Sequence, residues 1–210
     1  EETVAALDTL REQSLLREIR GPDQATRWDM LSTIHDFALE RFQALPEAPA
    51  LRLAQARVYL ELAEASEWFD IANQPTLAET FEADLDNYRV ALTTFQQLGA
   101  AESISMLRLS TMLADFWWMR GHTTEGRQWL GHAIASAGDT RSLDLARALA
   151  AAGLLAEAQS DLDAARDFQE RALDVFRAEG YAPGVADALT GLAVIARAEG
   201  DLDHAPMLHQ

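Results

Sequence analysis

Along most of the chain apolar residues recur three and four positions apart, as on one face of an α-helix, while two short stretches near the start alternate instead, as strands do. Residues 3 to 13 carry Val4, Leu7 and Leu10, which predicts a short amphipathic helix. From Ser14 to Arg20 the period changes, with Leu15, Arg17 and Ile19 set against Leu16, Glu18 and Arg20. Gly21-Pro22-Asp23-Gln24 follows, and Thr26 to Met30 alternates again, so the two stretches predict a β-hairpin. Leu31, Ile34, Ala38, Leu39 and Phe42 then mark one face of a helix that stops before Pro46. Helix, β-hairpin, helix is the order found in the back half of a winged-helix module, here over residues 1–45.

Pro46-Glu47-Ala48-Pro49 reads as a short linker, after which the pattern is helical throughout. Leu51 to Ile71 predicts a long helix burying Leu53, Ala56, Leu60, Ala63, Trp68 and Phe69. Asn73-Gln74-Pro75 breaks it, and Pro75 with Thr76 suits a new helix start. Leu77, Phe81, Leu85, Tyr88, Leu92 and Phe95 then predict one helix as far as Gln97, closed by Gly99. A second helical hairpin is expected from Ala101 to Met119 and from Thr123 to Ala137, with Gly121 at its turn and Gly138-Asp139 at its exit. The third covers about Arg141 to Ala158 and Leu162 to Arg177. The fourth starts near Pro183, and its second helix, with Pro206 early in it, is still open at Gln210. The chain therefore reads as a fragment of something longer, fraying in that last helix.

The later hairpins repeat. Ala146 to Leu155 aligns with Ala186 to Ile195, and Ser160-Asp161-Leu162-Asp163-Ala164-Ala165 with Gly200-Asp201-Leu202-Asp203-His204-Ala205, each offset by 40 positions. Gly121 to Arg127, with Trp129, Leu130 and Ala133, answers Ser160 to Arg166, with Phe168, Gln169 and Ala172, at an offset of 39. A fixed period of this size is the signature of a helical solenoid, in which each unit buries its apolar face against its neighbours. Gly153, Ala165 and Ala172 fall where two helices must approach closely, and Leu149, Leu162 and Phe168 fill the gaps. This is the small-residue spacing of a tetratricopeptide-type hairpin. The expected fold is mainly α: a tetratricopeptide-like (TPR-like) α-solenoid over residues 50–210, preceded by a winged-helix remnant with one β-hairpin.

Composition narrows the function. With 49% hydrophobic and 24% charged residues the chain has the make-up of a folded domain. Its net charge of -17 repels a phosphate backbone, since nucleic-acid affinity rests on Lys and Arg displacing counterions. Residues 1–42 alone hold five Arg and no Lys against nine Asp and Glu, so the wing reads as a joint between domains rather than a DNA reader. The absence of cysteine excludes disulfides, thiolate metal sites and cysteine nucleophiles. No run of about 18 apolar residues and no basic-then-apolar leader occurs, and the lack of cysteine suits a reducing cytosol, so a cytoplasmic location is expected.

The run LREQSLLREIRGPDQATRWDMLSTIHDFALERF, from Leu10 to Phe42, resembles the end of the winged-helix segment in STAND-class signal-transduction ATPases, the group of MalT-like, LuxR-linked bacterial regulators. Ser14, Leu15, Leu16, Met30, Leu31, Thr33, Ile34, Phe37, Ala38, Leu39, Glu40 and Arg41 carry the match; His35 and Asp36 replace the more usual Arg-Glu. LDNYRVAL from Leu85 to Leu92, in which Tyr88 replaces Leu, and FWWMRGHTTEGRQWL from Phe116 to Leu130 fit as well. The resemblance implies a nucleotide-binding switch, a winged helix and then a tetratricopeptide-like sensor array, often with a DNA-binding domain elsewhere. This segment would be the joint and the start of the sensor. It has no Gly-x-x-x-x-Gly-Lys-Ser/Thr loop, so the ATP of the family would bind an upstream domain outside it, in intramolecular contact with it.

No catalytic or metal constellation stands out. His35, His122, His132, His204 and His209 lack the spacing of a zinc-binding helix. Asp161-Leu162-Asp163 and Asp201-Leu202-Asp203 lack the remaining ligands of a calcium loop and suit helix caps instead. Gly153 and Gly191 read as packing glycines. The informative cluster is Phe116-Trp117-Trp118 with Trp129: Trp117 shares a face with Leu113 and reads as core, while Trp118 lies ~100° round the helix, toward the concave side or between hairpins. Transferring the repeat register places Arg108, Thr111, Asp115, Trp118, Met119, Arg147, Leu154, Glu157, Asp187 and Arg197 on the inner wall of the superhelix. Mixed charge beside an aromatic suits a peptide segment or a small polar effector. The expectation is a non-enzymatic interaction and effector-sensing module with no cofactor of its own; the alternative is a pure scaffold for a multiprotein complex.

Overall fold

The structure, a computed structural model, describes residues 2–66, 75–138 and 140–200, without the side chains of Glu2 and Pro75. It is mainly helical with one small antiparallel sheet. The order is α1 (Glu2–Glu12), β1 (Arg17–Arg20), β2 (Thr26–Asp29), α2 (Ser32–Gln43), α3 (Ala48–Ala65), α4 (Pro75–Ala83), α5 (Leu85–Leu98), a 3-10 turn (Gly99–Glu102), α6 (Ser103–Met112), α7 (Ala114–Arg120), α8 (Thr123–Ala137), α9 (Leu143–Ala158), α10 (Leu162–Ala178) and α11 (Ala182–Ala198). In the hairpin Arg17 pairs with Asp29 and Arg20 with Thr26, and the Arg17 Nε–H donates to the Asp29 carboxylate at 2.6 Å. The Arg27 side chain folds over Gly21 at the turn: a Cβ there would lie 2.3 Å from Arg27 Nε, so a larger residue would displace that side chain.

Several expected boundaries move. Residues 46–49 are not all linker: α3 already begins at Ala48, with Pro49 in its first turn, where a missing N–H costs nothing. It ends at Ala65 with Ser66 extended (φ -76°, ψ 130°) rather than running on to Ile71; Trp68, Phe69 and Ile71 lie outside the described residues. The single helix expected from Leu77 to Gln97 is two, broken at Asp84 (φ -105°, ψ 7°). There the Asp84 carboxylate receives Arg27 at 2.6 Å, a contact made outside its own helix. Stacking of Phe81 on Tyr88, 5.0 Å between centroids, holds the two halves together. The helix expected from Ala101 to Met119 likewise divides at Leu113 into α6 and α7. Of the fourth hairpin only α11 is described; Asp201, Asp203, His204, Pro206 and His209 lie outside.

From α3 onward each helix packs on its near neighbours in sequence: α8 on α9, α9 on α10, α10 on α11. In addition α6 and α7 reach α9, and α9 reaches α11, so alternate helices also lie side by side. One continuous core runs from Ala56 to Leu192, with Phe81, Phe95, Phe116 and Trp117 as its largest buried side chains. Close approach depends on missing side chains. A Cβ on Gly126 would meet Leu155 at 2.6 Å and Trp117 at 2.7 Å, and one on Gly184 would meet Phe176 at 2.5 Å. Ala165 and Ala172 are fully buried, as the repeat predicts.

The repeat register also appears in backbone and charge. Gly121, Ser160 and Gly200 all take positive φ (76°, 60° and 81°), and each N–H donates to the carbonyl three residues earlier, of Trp118, Glu157 and Arg197. Along the second helices runs a series of arginine–carboxylate pairs linking successive units: Arg89 to Glu125 at 2.7 Å, Arg127 to Asp161 at 2.7 Å, and Arg166 to Glu199. Asp161 Oδ1 also caps α10 by accepting the Ala164 N–H at 3.3 Å, the capping role its motif suggests.

Ser160 is the non-glycine member of the left-handed trio, so Ser160→Gly should raise stability by about 1 kcal/mol, read from urea midpoints. The pairs also predict acid sensitivity. Hydrogen bonds from Arg89 hold the Glu125 carboxyl below its usual range, and Ser105 then Arg57 do the same for Glu102. A carboxyl depressed in the fold adds stability above its unfolded value and loses it as pH falls through the folded one. The thermal midpoint should therefore drop as pH falls below about 4, and Arg89→Gln should make that drop shallower.

Candidate functional site

Because α6 and α7, α9 and α11 lie side by side, with α8 and α10 packed behind them, their free faces form a groove. Within it is a cavity of about 820 Å³. Positions one repeat apart face it in rows: Thr111, Ala150 and Thr190 form one, and Asp115, Leu154 and Val194 another. The inner-wall expectation divides. Thr111, Asp115, Arg147, Leu154, Glu157 and Asp187 all line the cavity, whereas Arg108, Trp118, Met119 and Arg197 do not.

Each exclusion has a local setting. Arg108 is drawn to Glu64 of α3 at 2.6 Å. Met119 packs partly buried against the core. Arg197 is exposed near the end of α11, outside the cavity. Trp118 stands 50% exposed, so it is not core between hairpins, while Trp117 beside it is fully buried.

The groove is acidic over an apolar floor. Asp115, Glu157 and Asp187 form no ion pair among the described residues, against a single lining cation, Arg147. That guanidinium sits 5.3 Å from the Tyr181 ring centroid and 3.6 Å from Asp144. Desolvation by the surrounding protein raises the Asp115 carboxyl above its usual range although the residue keeps solvent contact. Two further acceptors, Thr111 Oγ1 and Gln169 Oε1, are buried without a hydrogen-bond partner among the described residues. No histidine lines the cavity; its ionisable lining is Asp115, Arg147, Glu157, Tyr181 and Asp187, with the hydroxyls of Thr111 and Thr190.

Sequence reasoning missed Gln169. It sits on α10, behind the groove, yet reaches the cavity because Gly153 and Gly191 leave room on either side; a Cβ on either would lie 2.8 or 2.7 Å from its Nε2. That Nε2 donates to the Ala150 carbonyl at 3.2 Å, leaving Oε1 unused. The available signal was register: Gln169 stands where the preceding unit has the buried Leu130.

A second cleft, of about 560 Å³, separates the β-hairpin from α3, α4 and α5. The Arg27–Asp84 pair crosses it, and that hydrogen bond raises the Arg27 pKa above its ordinary value. Tyr59 stands edge-on to Tyr88 at 5.4 Å, and burial pushes the Tyr88 hydroxyl up. At the far side of the hairpin, α2 has no fully buried residue, and with α1 it forms an apolar groove of about 590 Å³ that includes Leu10, Met30, Phe37 and Phe42.

Among the described residues no three metal-ligating side chains gather; His122 lies 3.6 Å from Glu82, and His132 hydrogen-bonds Gln96. No described helix is long and apolar enough to cross a membrane. No protein-family model matches the chain, and no curated protein does.

Because Trp118 is half exposed, Trp118→Ala should leave far-UV circular dichroism unchanged and cost less than about 1 kcal/mol of stability. Loss of helicity would show that it supports the fold.

Proposed function

We propose that this chain is a non-catalytic interaction and effector-sensing module of a bacterial signal-transduction ATPase that regulates transcription in the cytoplasm. On this reading residues 1–45 are the end of a winged helix and residues 50–210 the beginning of a tetratricopeptide-like array. A peptide segment or small effector occupies the groove. ATP binds an upstream domain, which contacts this segment, and the segment itself holds neither nucleic acid nor membrane.

The observation that carries the reading is the groove itself. Its lining repeats in rows, six of the ten residues placed there by repeat register do line one cavity, and its carboxylates form no ion pair among the described residues. A volume of about 820 Å³ lies in the range of ligand sites. The apolar face of α1 and α2 supports the rest, being a surface of the kind a preceding domain covers. The Arg27–Asp84 link then gives the hairpin and the array a shared fixed point.

The test is ATP turnover by the parent ATPase with and without residues 51 onward. A change of about fivefold or more, the size of ordinary inter-site coupling, is the expected result. Unchanged turnover would overturn sensing in favour of a scaffold.

A further inference from the structure

We propose that the groove ligand is an extended peptide segment presenting an arginine or lysine between apolar side chains. The inference rests on the sensing reading and specifies its chemistry. The charged groups of the cavity are mostly anionic, with the carboxylates of Asp115, Glu157 and Asp187 against Arg147 alone, and the amide oxygen of Gln169 adds a further acceptor. A carboxylate cluster alone would be only a solvated surface. Gln169 is different: it is 7% exposed, and its Oε1 is buried with no hydrogen-bond partner among the described residues.

A buried acceptor left unpaired costs about 1–3 kcal/mol, so a ligand N–H that reaches it recovers that loss. The one cation, Arg147, is held by Asp144 and the Tyr181 ring, so it does not neutralise all three acids. The acids are also distributed along the stack, on α7, α9 and α11 in turn, with Leu154, Val194 and Ile195 of the same lining supplying apolar contact. An extended chain alternating cationic and apolar side chains matches that order, with charge complementarity setting its orientation.

The probe is a fluorescein-labelled heptapeptide alternating arginine and leucine, with its glutamate–leucine counterpart as control, titrated by anisotropy into the 210-residue chain. Saturable binding of the arginine peptide alone, weakened by added salt, is expected. The triple variant Asp115→Asn, Glu157→Gln, Asp187→Asn should bind about tenfold or more weakly. It should fold at least as well as the parent, because none of the three carboxylates forms an ion pair among the described residues. A control neutralising Asp163, Glu170 and Asp174, exposed on α10, should keep full affinity and so separate the groove from the general charge of -17.

Equal binding of the two peptides, or equal weakening by the two triple variants, overturns the proposal. So does displacement of the arginine peptide by spermidine at equal concentration and constant ionic strength, which would make the ligand a free polyamine. Failure here with deletion-sensitive ATP turnover discards the peptide and keeps the sensing module. Peptide binding with insensitive turnover keeps the ligand chemistry and discards the sensor.

Discussion

From α7 to α11 the helices approach most closely where a side chain is missing, and the packing of that part of the chain follows from where those positions fall. Gly126 lets α8 meet Trp117 and Leu155, and Gly184 lets α11 meet Phe176. Gly153 and Gly191 open a slot on α9 and α11 that Gln169 enters from α10. Without these contacts α7, α9 and α11 could not lie side by side over α8 and α10 to form the groove. The same slot that allows packing also delivers a polar atom to that face from the layer behind it. Packing and binding surface are thus set by the same residues.

The β-hairpin is tied to the helices by a smaller device. Arg27 folds over Gly21 and reaches Asp84, and the helix carrying Asp84 breaks there. An ion pair with both side chains mostly shielded is costly to leave half-made, so removing either partner strands the other charge. The cleft around it is otherwise open, with Tyr59 and Tyr88 as its aromatic wall. Hairpin and helices are therefore joined by a directional contact rather than by a broad shared core.

Most of the helical pattern was legible in the sequence because a 3.6-residue period is a local signal, and the 39- and 40-residue offsets located the turns at Gly121, Ser160 and Gly200 correctly. The break at Asp84 was not legible. Leu77 to Phe95 keeps perfect helical spacing across it, and its partner, Arg27, lies in the hairpin, far away in sequence. Repeat register also placed Thr111, Asp115, Arg147, Leu154, Glu157 and Asp187 at one cavity. It misplaced Arg108 because register fixes where a side chain starts, not that Glu64 of another helix will draw its long arm away. Gln169 escaped for the complementary reason, as a residue on the rear helix that emerges at the front.

The arginine–carboxylate pairs between units carry one more consequence. All seventeen cations of the chain are arginine; it contains no lysine. A guanidinium keeps its proton wherever the fold survives and is not a substrate for the acyl transfers that neutralise an amine. The cationic half of every rung therefore keeps its charge across the pH range in which the fold survives, and titration can loosen the linkage between units only from the acidic half.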